Sequence, residues 1–413
     1  MPVIRNFSRL IVGIVFIYSG FVKGIDPLGS MYKFIEYFNA AGLGNLDTLA
    51  LIAAFALALA EFVIGLALLF NLRPRVASPV ALLFMLLFTP LTLYLAFANP
   101  VNDCGCFGDA LKLTHWQSFW KNVVLLGLAG IVHVNRGRYN TSLSPARQGG
   151  LLSLLGLGMF GLSLYSYSTL PVLDFSPYAV GKNIQEGMKT PDEAELNQYE
   201  VTLFYKHLTS GEIKAFTDEN YPWQDSSWVY ERTERKLLKR GYIPPIHDFF
   251  IEHPLEGEIT REVLEANDYT LLVVARDLEG LPREMQARIN RLAYYLQGRG
   301  YHVLGLTSAS EESARAFRER YRVPYVICSS DDTQLKTMIR STPGLLLLHG
   351  GTIIAKWPGG GIPEVAALEG GDLVAFSIRR ARENRESLLL FTFLFFLSTA
   401  YLLFLPSRRK RRR

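Results

Sequence analysis

Charged side chains are scarce in the first 170 of the 413 residues, and cysteine is scarce throughout, with three in the whole chain. A region so poor in acids and bases excludes an ordinary soluble domain over residues 1–170. Hydrophobic residues make up 49% of the sequence, and the mean hydropathy is positive. Residues 180–385, by contrast, have the composition of a water-soluble domain. No small-x-small cleavage site follows the first apolar run, which therefore reads as a retained helix rather than a signal peptide. The net charge of +5 owes much to the basic run Arg408–Arg413. That run directly follows an apolar stretch, so it reads as a cytoplasmic anchor and not as a nucleic-acid site.

Six stretches approach the roughly 20 apolar residues needed to cross a bilayer. They are Phe7–Val22, Thr48–Leu72, Val76–Ala98, Gln117–Val134, Gly150–Tyr167 and Ser387–Leu405. Basic residues at helix ends favour the cytoplasmic side. Arg5, Arg9, Arg73, Arg75, Arg136, Arg138, Arg147 and the terminal run then all lie inside. The segments carrying Lys23, Asp26, Lys33 and Glu36, and later Asp103, Asp109 and Lys112, lie outside and are mixed in sign. Arg379, Arg380, Arg382 and Arg385 run against this pattern and are outweighed by the terminal run. The resulting expectation is a bacterial inner (cytoplasmic) membrane protein with residues 171–385 extracytoplasmic. Pro90 is expected to kink the third span.

Two of the three cysteines sit together in Asp103-Cys104-Gly105-Cys106-Phe107-Gly108-Asp109. A Cys-Gly-Cys bridge closes a very small ring, a form suited to exchange rather than to structure. Three readings stand: redox exchange, a metal site using Cys104, Cys106, Asp103 and His115, and a turn with incidental thiols. The lack of a second Cys or His pair weighs against the metal. Glu61, inside the second span, is costly there and points to a proton- or quinone-related role or to an interhelical hydrogen bond. Lys23 is read as snorkelling to the outer surface, with an approach to the same interior as the alternative.

Residues 1–135 resemble the DoxX-like membrane family, and especially its methylamine-utilisation branch, MauE. The likeness rests on Ser19-Gly20-Phe21-Val22-Lys23, on Glu61, on Cys104-Gly105-Cys106-Phe107-Gly108-Asp109 and on Trp116-Gln117-Ser118-Phe119-Trp120-Lys121-Asn122. It implies a four-helix membrane core linked to thiol–disulfide or quinone-coupled redox work, with Cys104 and Cys106 as the catalytic pair. A quinone is the cofactor it suggests, and an extracytoplasmic thiol protein the partner.

Strands are expected at Tyr199–Phe204 and Ile213–Phe216, joined by a turn at Thr209–Glu212. His247, Asp248 and His253 read as surface hydrogen-bonding groups rather than metal ligands. From Tyr269 the rhythm becomes strand (Tyr269–Ala275), helix (Pro282–Gln297), strand (Tyr301–Thr307), helix (Glu311–Tyr321), strand (Val323–Cys328) and hairpin (Leu345–Leu348, Thr352–Trp357). Thr342-Pro343 ahead of that hairpin resembles the thioredoxin-like superfamily, and the resemblance implies a cis peptide at Pro343. The superfamily's Cys-x-x-Cys is missing: Arg276-Asp277-Leu278-Glu279-Gly280-Leu281-Pro282 stands in its place, so this domain cannot run dithiol exchange alone. Cys328 reads as a small core residue, or as an accessory thiol lying near Thr342 and Pro343 and exchanging with the Cys104–Cys106 pair.

The sequence thus divides into a four-helix membrane domain (1–139), a fifth span with linker (140–170), an extracytoplasmic β-rich part (171–265), an α/β thioredoxin-like domain (266–383) and a sixth span with a basic tail (384–413). Its expected work is thiol–disulfide or quinone-coupled redox exchange at the bilayer, with the thioredoxin-like domain binding a partner. The rival expectation is a non-enzymatic membrane scaffold that recognises a protein or a cell-envelope component.

Overall fold

Asp26 followed by Pro27 is a helix-start signal: the carboxylate accepts from the Gly29 N–H, and the proline sits where no N–H is needed. It separates α1 (Pro2–Ile25) from the short α2 (Pro27–Ala40), a helix in the outer segment that carries Lys33 and Glu36. In this computed structural model, α3 (Asp47–Leu69), α4 (Pro74–Ala98), α5 (His115–Val134) and α6 (Pro145–Ser168) follow. The structure describes residues 2–404 except Asn45, Asn102, Asn140, Ser142, 192–197, 218–219, Gln224, Arg240 and 369–371. The basic run Arg408–Arg413 lies outside the described residues.

Four of these helices, α1, α3, α4 and α6, are long and apolar enough to cross a membrane. The α5 helix has 20 residues but carries His115, Lys121, Asn122 and His133, and it packs into the same helical core through Leu125, Ala129 and Val132. Pro90 and Pro79 both lie within α4, which continues through them. The α1 and α3 helices approach so closely that a Cβ on Gly20 would stand 2.4 Å from the Phe62 nitrogen, and one on Gly65 would stand 2.5 Å from the Ile17 nitrogen. Small residues at such crossings let helices pack in lipid, where no hydrophobic force drives them together.

Residues 184–249 form a separate unit. It holds a single-turn helix, α7 (Ile184–Met188), and a three-stranded antiparallel sheet of order β2-β1-β3, from β1 (Gln198–His207), β2 (Ile213–Thr217) and β3 (Trp228–Lys239). The first two strands are those that the alternation predicts. The long β3 escapes sequence reading because its charged run Glu231–Arg235 hides the period.

The remaining α/β part contains β4 (Glu252–His253), β5 (Gly257–Glu258), α8 (Thr260–Glu265), β6 (Tyr269–Val274), α9 (Arg283–Gln297), β7 (His302–Thr307), α10 (Glu311–Tyr321), β8 (Val326–Ser329), α11 (Asp332–Met338), β9 (Gly344–His349) and β10 (Thr352–Pro358). Its sheet runs β10-β9-β6-β7-β8-β4-β5. The β6, β7 and β8 strands are parallel, while β9 is antiparallel to β6 and to β10. This βαβαβ unit followed by a hairpin is the thioredoxin-like arrangement. Helix α9 buries Ile289, Leu292, Ala293 and Leu296, a helical period, against Leu271, Val273, Leu345 and Leu347. The Thr342–Pro343 peptide is cis, as the resemblance implies. A last helix, α12 (Leu373–Phe404), starts on this core through Leu373 and continues without a break into the apolar run expected as the sixth span.

Candidate functional site

The loop between α4 and α5 folds back over the end of α1. Ser19 donates to the Cys106 carbonyl at 2.8 Å, and Lys23 Nζ donates to the same carbonyl at 2.7 Å. Tyr37 on α2 donates to the Cys104 carbonyl at 2.8 Å, and the Gly105 N–H reaches Asp103 Oδ1 at 2.8 Å. Gly105 has φ +62°, a left-handed conformation that glycine adopts freely, so the loop can turn between the two thiols. The two Sγ atoms lie 2.6 Å apart, and both cysteines are half-buried.

The two thiols are not equivalent. The hydrogen-bonded contact with Cys106 lowers the Cys104 thiol to about 6, against the cost of burial, with help from the Ser118 hydroxyl 3.0 Å away and from Lys121. The same contact, together with burial, pushes Cys106 well above the ordinary thiol range. The contact therefore favours the thiolate, the form that reacts, at Cys104 over Cys106.

Beneath the loop lies a cavity of about 130 Å³. Cys104, Gly105 and Cys106 form part of its wall, with Phe16, Phe88 and Leu125 among the apolar residues lining it. Lys23 and Glu61 also face it. They form an ion pair at 2.8 Å with side chains only 8% and 10% exposed, and Lys23 donates further to Ser19 at 2.6 Å. Lys23 therefore does not snorkel outward: its ammonium finds a carboxylate, a hydroxyl and a carbonyl inside the bundle, which offsets the cost of burial. The bundle core thus holds Lys23 beside Glu61, the inward alternative for the lysine. Asn122, the last residue of the α5 motif, lines the same space and donates to Thr92 at 3.2 Å.

The remaining candidates are placed elsewhere. His115 is turned to the Val101 carbonyl at 2.9 Å, and no metal-binding cluster of His, Cys, Asp or Glu occurs among the described residues. His247 faces the Pro244 carbonyl, and His253 accepts from the Leu255 and Glu256 N–H groups. Cys328 is fully buried on β8, and burial pushes its thiol up to about 11. Two strands, β7 and β6, separate β8 from β9, into which Pro343 leads. At about 4.8 Å per strand the thiol stands well away from Pro343. Cys328 is a core residue, and the structure does not bring it to the cysteine loop. Thr342 accepts from Arg276 Nε at 3.2 Å, so an arginine lies beside the cis peptide at Pro343.

The helical part has a recognisable relative. Residues 1–135 match the family methylamine utilisation protein MauE. The MauE-like region holds both loop cysteines, Lys23, Glu61 and Asn122, and ends within the last turns of α5 and the residue after it. Residues 199–240, which include the three-stranded sheet, match a domain of unknown function, DUF8463. No curated protein matches the chain. Similar solved structures include a putative thioredoxin from Neisseria meningitidis, 16% identical, covering 32% of this chain and 88% of that one, with a TM-score of 0.26. Bacterioferritin comigratory protein from Xanthomonas campestris is 14% identical over 31% of this chain and 87% of its own, with a TM-score of 0.24. PrxQ from Xylella fastidiosa is 14% identical over 33% and 89%, with a TM-score of 0.25.

Proposed function

We propose that the chain is a thiol–disulfide redox protein of the bacterial inner membrane, with Cys104 and Cys106 as its exchanging pair. The observation that carries this is the touching pair of thiols set in the wall of an apolar cavity that also contains the Lys23–Glu61 ion pair. In the oxidised state a partner thiolate attacks one sulfur and the other leaves as a thiolate. The partner's second thiol then resolves the mixed disulfide, so the partner is oxidised and Cys104–Cys106 becomes a dithiol. The reverse half-reaction passes two electrons and two protons from the dithiol to an acceptor.

A membrane quinone fits the role of acceptor. An apolar cavity of roughly 150 Å³ accepts a benzene-sized ring, and the space under the loop is close to that size. A quinone bound there supplies a two-electron, two-proton sink. Lys23 then offers N–H donors at the cavity wall, Glu61 holds that ammonium in place, and the surrounding Phe and Leu side chains keep water from the site.

The placement of the basic residues supports one orientation in the membrane. Arg9 donates to the Leu69 carbonyl, Tyr139 to the Arg5 carbonyl and Arg73 to the Pro145 carbonyl, so these residues gather at one end of the bundle. The cysteine loop and the α/β domain lie at the other end, which supports an extracytoplasmic site. Single Cys104→Ser and Cys106→Ser variants test the function. One of them should trap a mixed disulfide with an extracytoplasmic protein, and the double variant should lose the cellular phenotype. A phenotype that survives the double variant but is lost on deleting residues 184–249 would favour a non-enzymatic scaffold.

A further inference from the structure

The α/β domain reaches the cysteine loop through the Arg340 side chain. Arg340 Nε donates to Asp26 at 3.0 Å, and its Nη2 donates to Asp109 at 2.8 Å. Asp26 is the N-cap of α2, and Asp109 lies three residues beyond Cys106. The Arg340 side chain is 9% exposed and also donates to the Lys336 carbonyl. Arg276, Lys336 and Arg340 surround the Tyr32 ring on α2 at 5.4, 5.6 and 5.8 Å, and Arg276 donates to the Tyr32 hydroxyl at 3.1 Å. The α2 helix then holds the loop itself. Tyr37 grips the Cys104 carbonyl, and Lys33 pairs with Asp103 at 3.2 Å while its stem packs over Gly105.

We propose that Arg340 is a positioning residue for the Cys104–Cys106 pair: by binding Asp26 and Asp109 together it locks α2 and the loop in the register that brings the two sulfurs into contact. The proposal rests on the reading of that pair as an exchanging one. The α/β domain, which has no thiol on this face, then acts on the redox centre through charge. A guanidinium can serve two carboxylates at once because its donors are spread over a rigid fork, whereas a lysine ammonium is a point charge. Without it, Asp26 would lose its guanidinium partner and Asp109 would keep only the 4.0 Å contact with Lys112, so the loop would stay on α2 through Tyr37 and Lys33 alone, in a looser register. The two thiols would then lose their alignment.

The full-length protein in detergent micelles provides the test. Two quantities are read: the fraction of Cys104–Cys106 joined in glutathione buffers of known ratio, and the pH profile of Cys104 alkylation. Arg340→Gln should shift the glutathione ratio by about tenfold toward the open pair and move the alkylation profile toward that of an ordinary thiol, near pH 8.5. Arg340→Lys should restore part of both. Asp109→Asn keeps the Arg340–Asp26 contact and should shift both readings in the same direction. The double variant should add little to either single change, because the two share one interaction. Wild-type values in Asp109→Asn, or effects of Arg340→Gln and Asp109→Asn that simply add, would overturn the proposal. If Arg340→Gln does not fold, Asp109→Asn decides alone. Neither reading needs a partner or a quinone, so a failure of the proposed cellular function is distinguishable from a failure of this one.

Discussion

Cys104 and Cys106 are separated by one glycine in sequence and are shifted in opposite directions as thiols. With its thiol near 6, Cys104 is mostly thiolate at neutral pH. The alkylation rate of the reduced protein should therefore level off above about pH 7 and fall about tenfold per pH unit well below pH 6. Cys106, pushed upward by the same contact and by burial, should stay slow beyond pH 9. Mass spectrometry of the separately labelled cysteines reads both, and equal rates would contradict the asymmetry. Lys23 and Glu61 give a second residue-scale prediction. Removing one partner of a buried pair costs about 3–5 kcal/mol because the other charge is left unpaired. Lys23→Met and Glu61→Gln should each lower the denaturation midpoint in detergent, and the double variant should recover part of the loss. The cysteine pair and Glu61 were legible in the sequence as chemistry. The inward turn of Lys23 was not, because a lysine at the end of an apolar run looks the same whether it snorkels or finds a partner 38 residues away.

Among the elements, the crossing of α1 and α3 sets the floor of the site, since Lys23 comes from one helix and Glu61 from the other. A methyl group at Gly20 would meet α3 backbone rather than a yielding side chain. Gly20→Ala should therefore cost about 1–3 kcal/mol through overpacking and slow exchange at Cys104–Cys106, whereas Gly130→Ala on α5, where a Cβ meets open space, should leave both unchanged. Thermal denaturation with parallel thiol-exchange rates would show this, and equal effects at the two glycines would argue against a tight crossing. The long apolar helices and the alternating βαβ segments were readable from their periods, because burial of one face enforces that period. The α2 helix had a readable signal in Asp26-Pro27, masked by its mixed charge. Strand β3 pairs along its whole length with β1 yet half of its residues are charged, so its period reflects hydrogen bonding that hydropathy does not record.

At the scale of the whole molecule, a helical part that matches MauE is joined to an α/β part with a thioredoxin-like fold. The α/β part keeps the cis-Pro343 loop and the sheet of a thioredoxin-like domain, but it places Arg276 and Arg340 on that face, against α2 and the cysteine loop. The helical part supplies the thiols. The proposed orientation predicts that a membrane-impermeant reagent added to spheroplasts labels a cysteine introduced at exposed Leu255 and spares one at Arg138, on the opposite end of the bundle; the reverse pattern would move the site to the cytoplasm. The central claim, that Cys104 and Cys106 exchange electrons, is tested most directly by acid-quenching cells and counting free thiols on the full-length chain by mass-tagged alkylation. Exchange predicts that a substantial fraction carries the Cys104–Cys106 bond during aerobic growth and that this fraction falls when quinone is depleted. Two free cysteines at 104 and 106 under both conditions would contradict it.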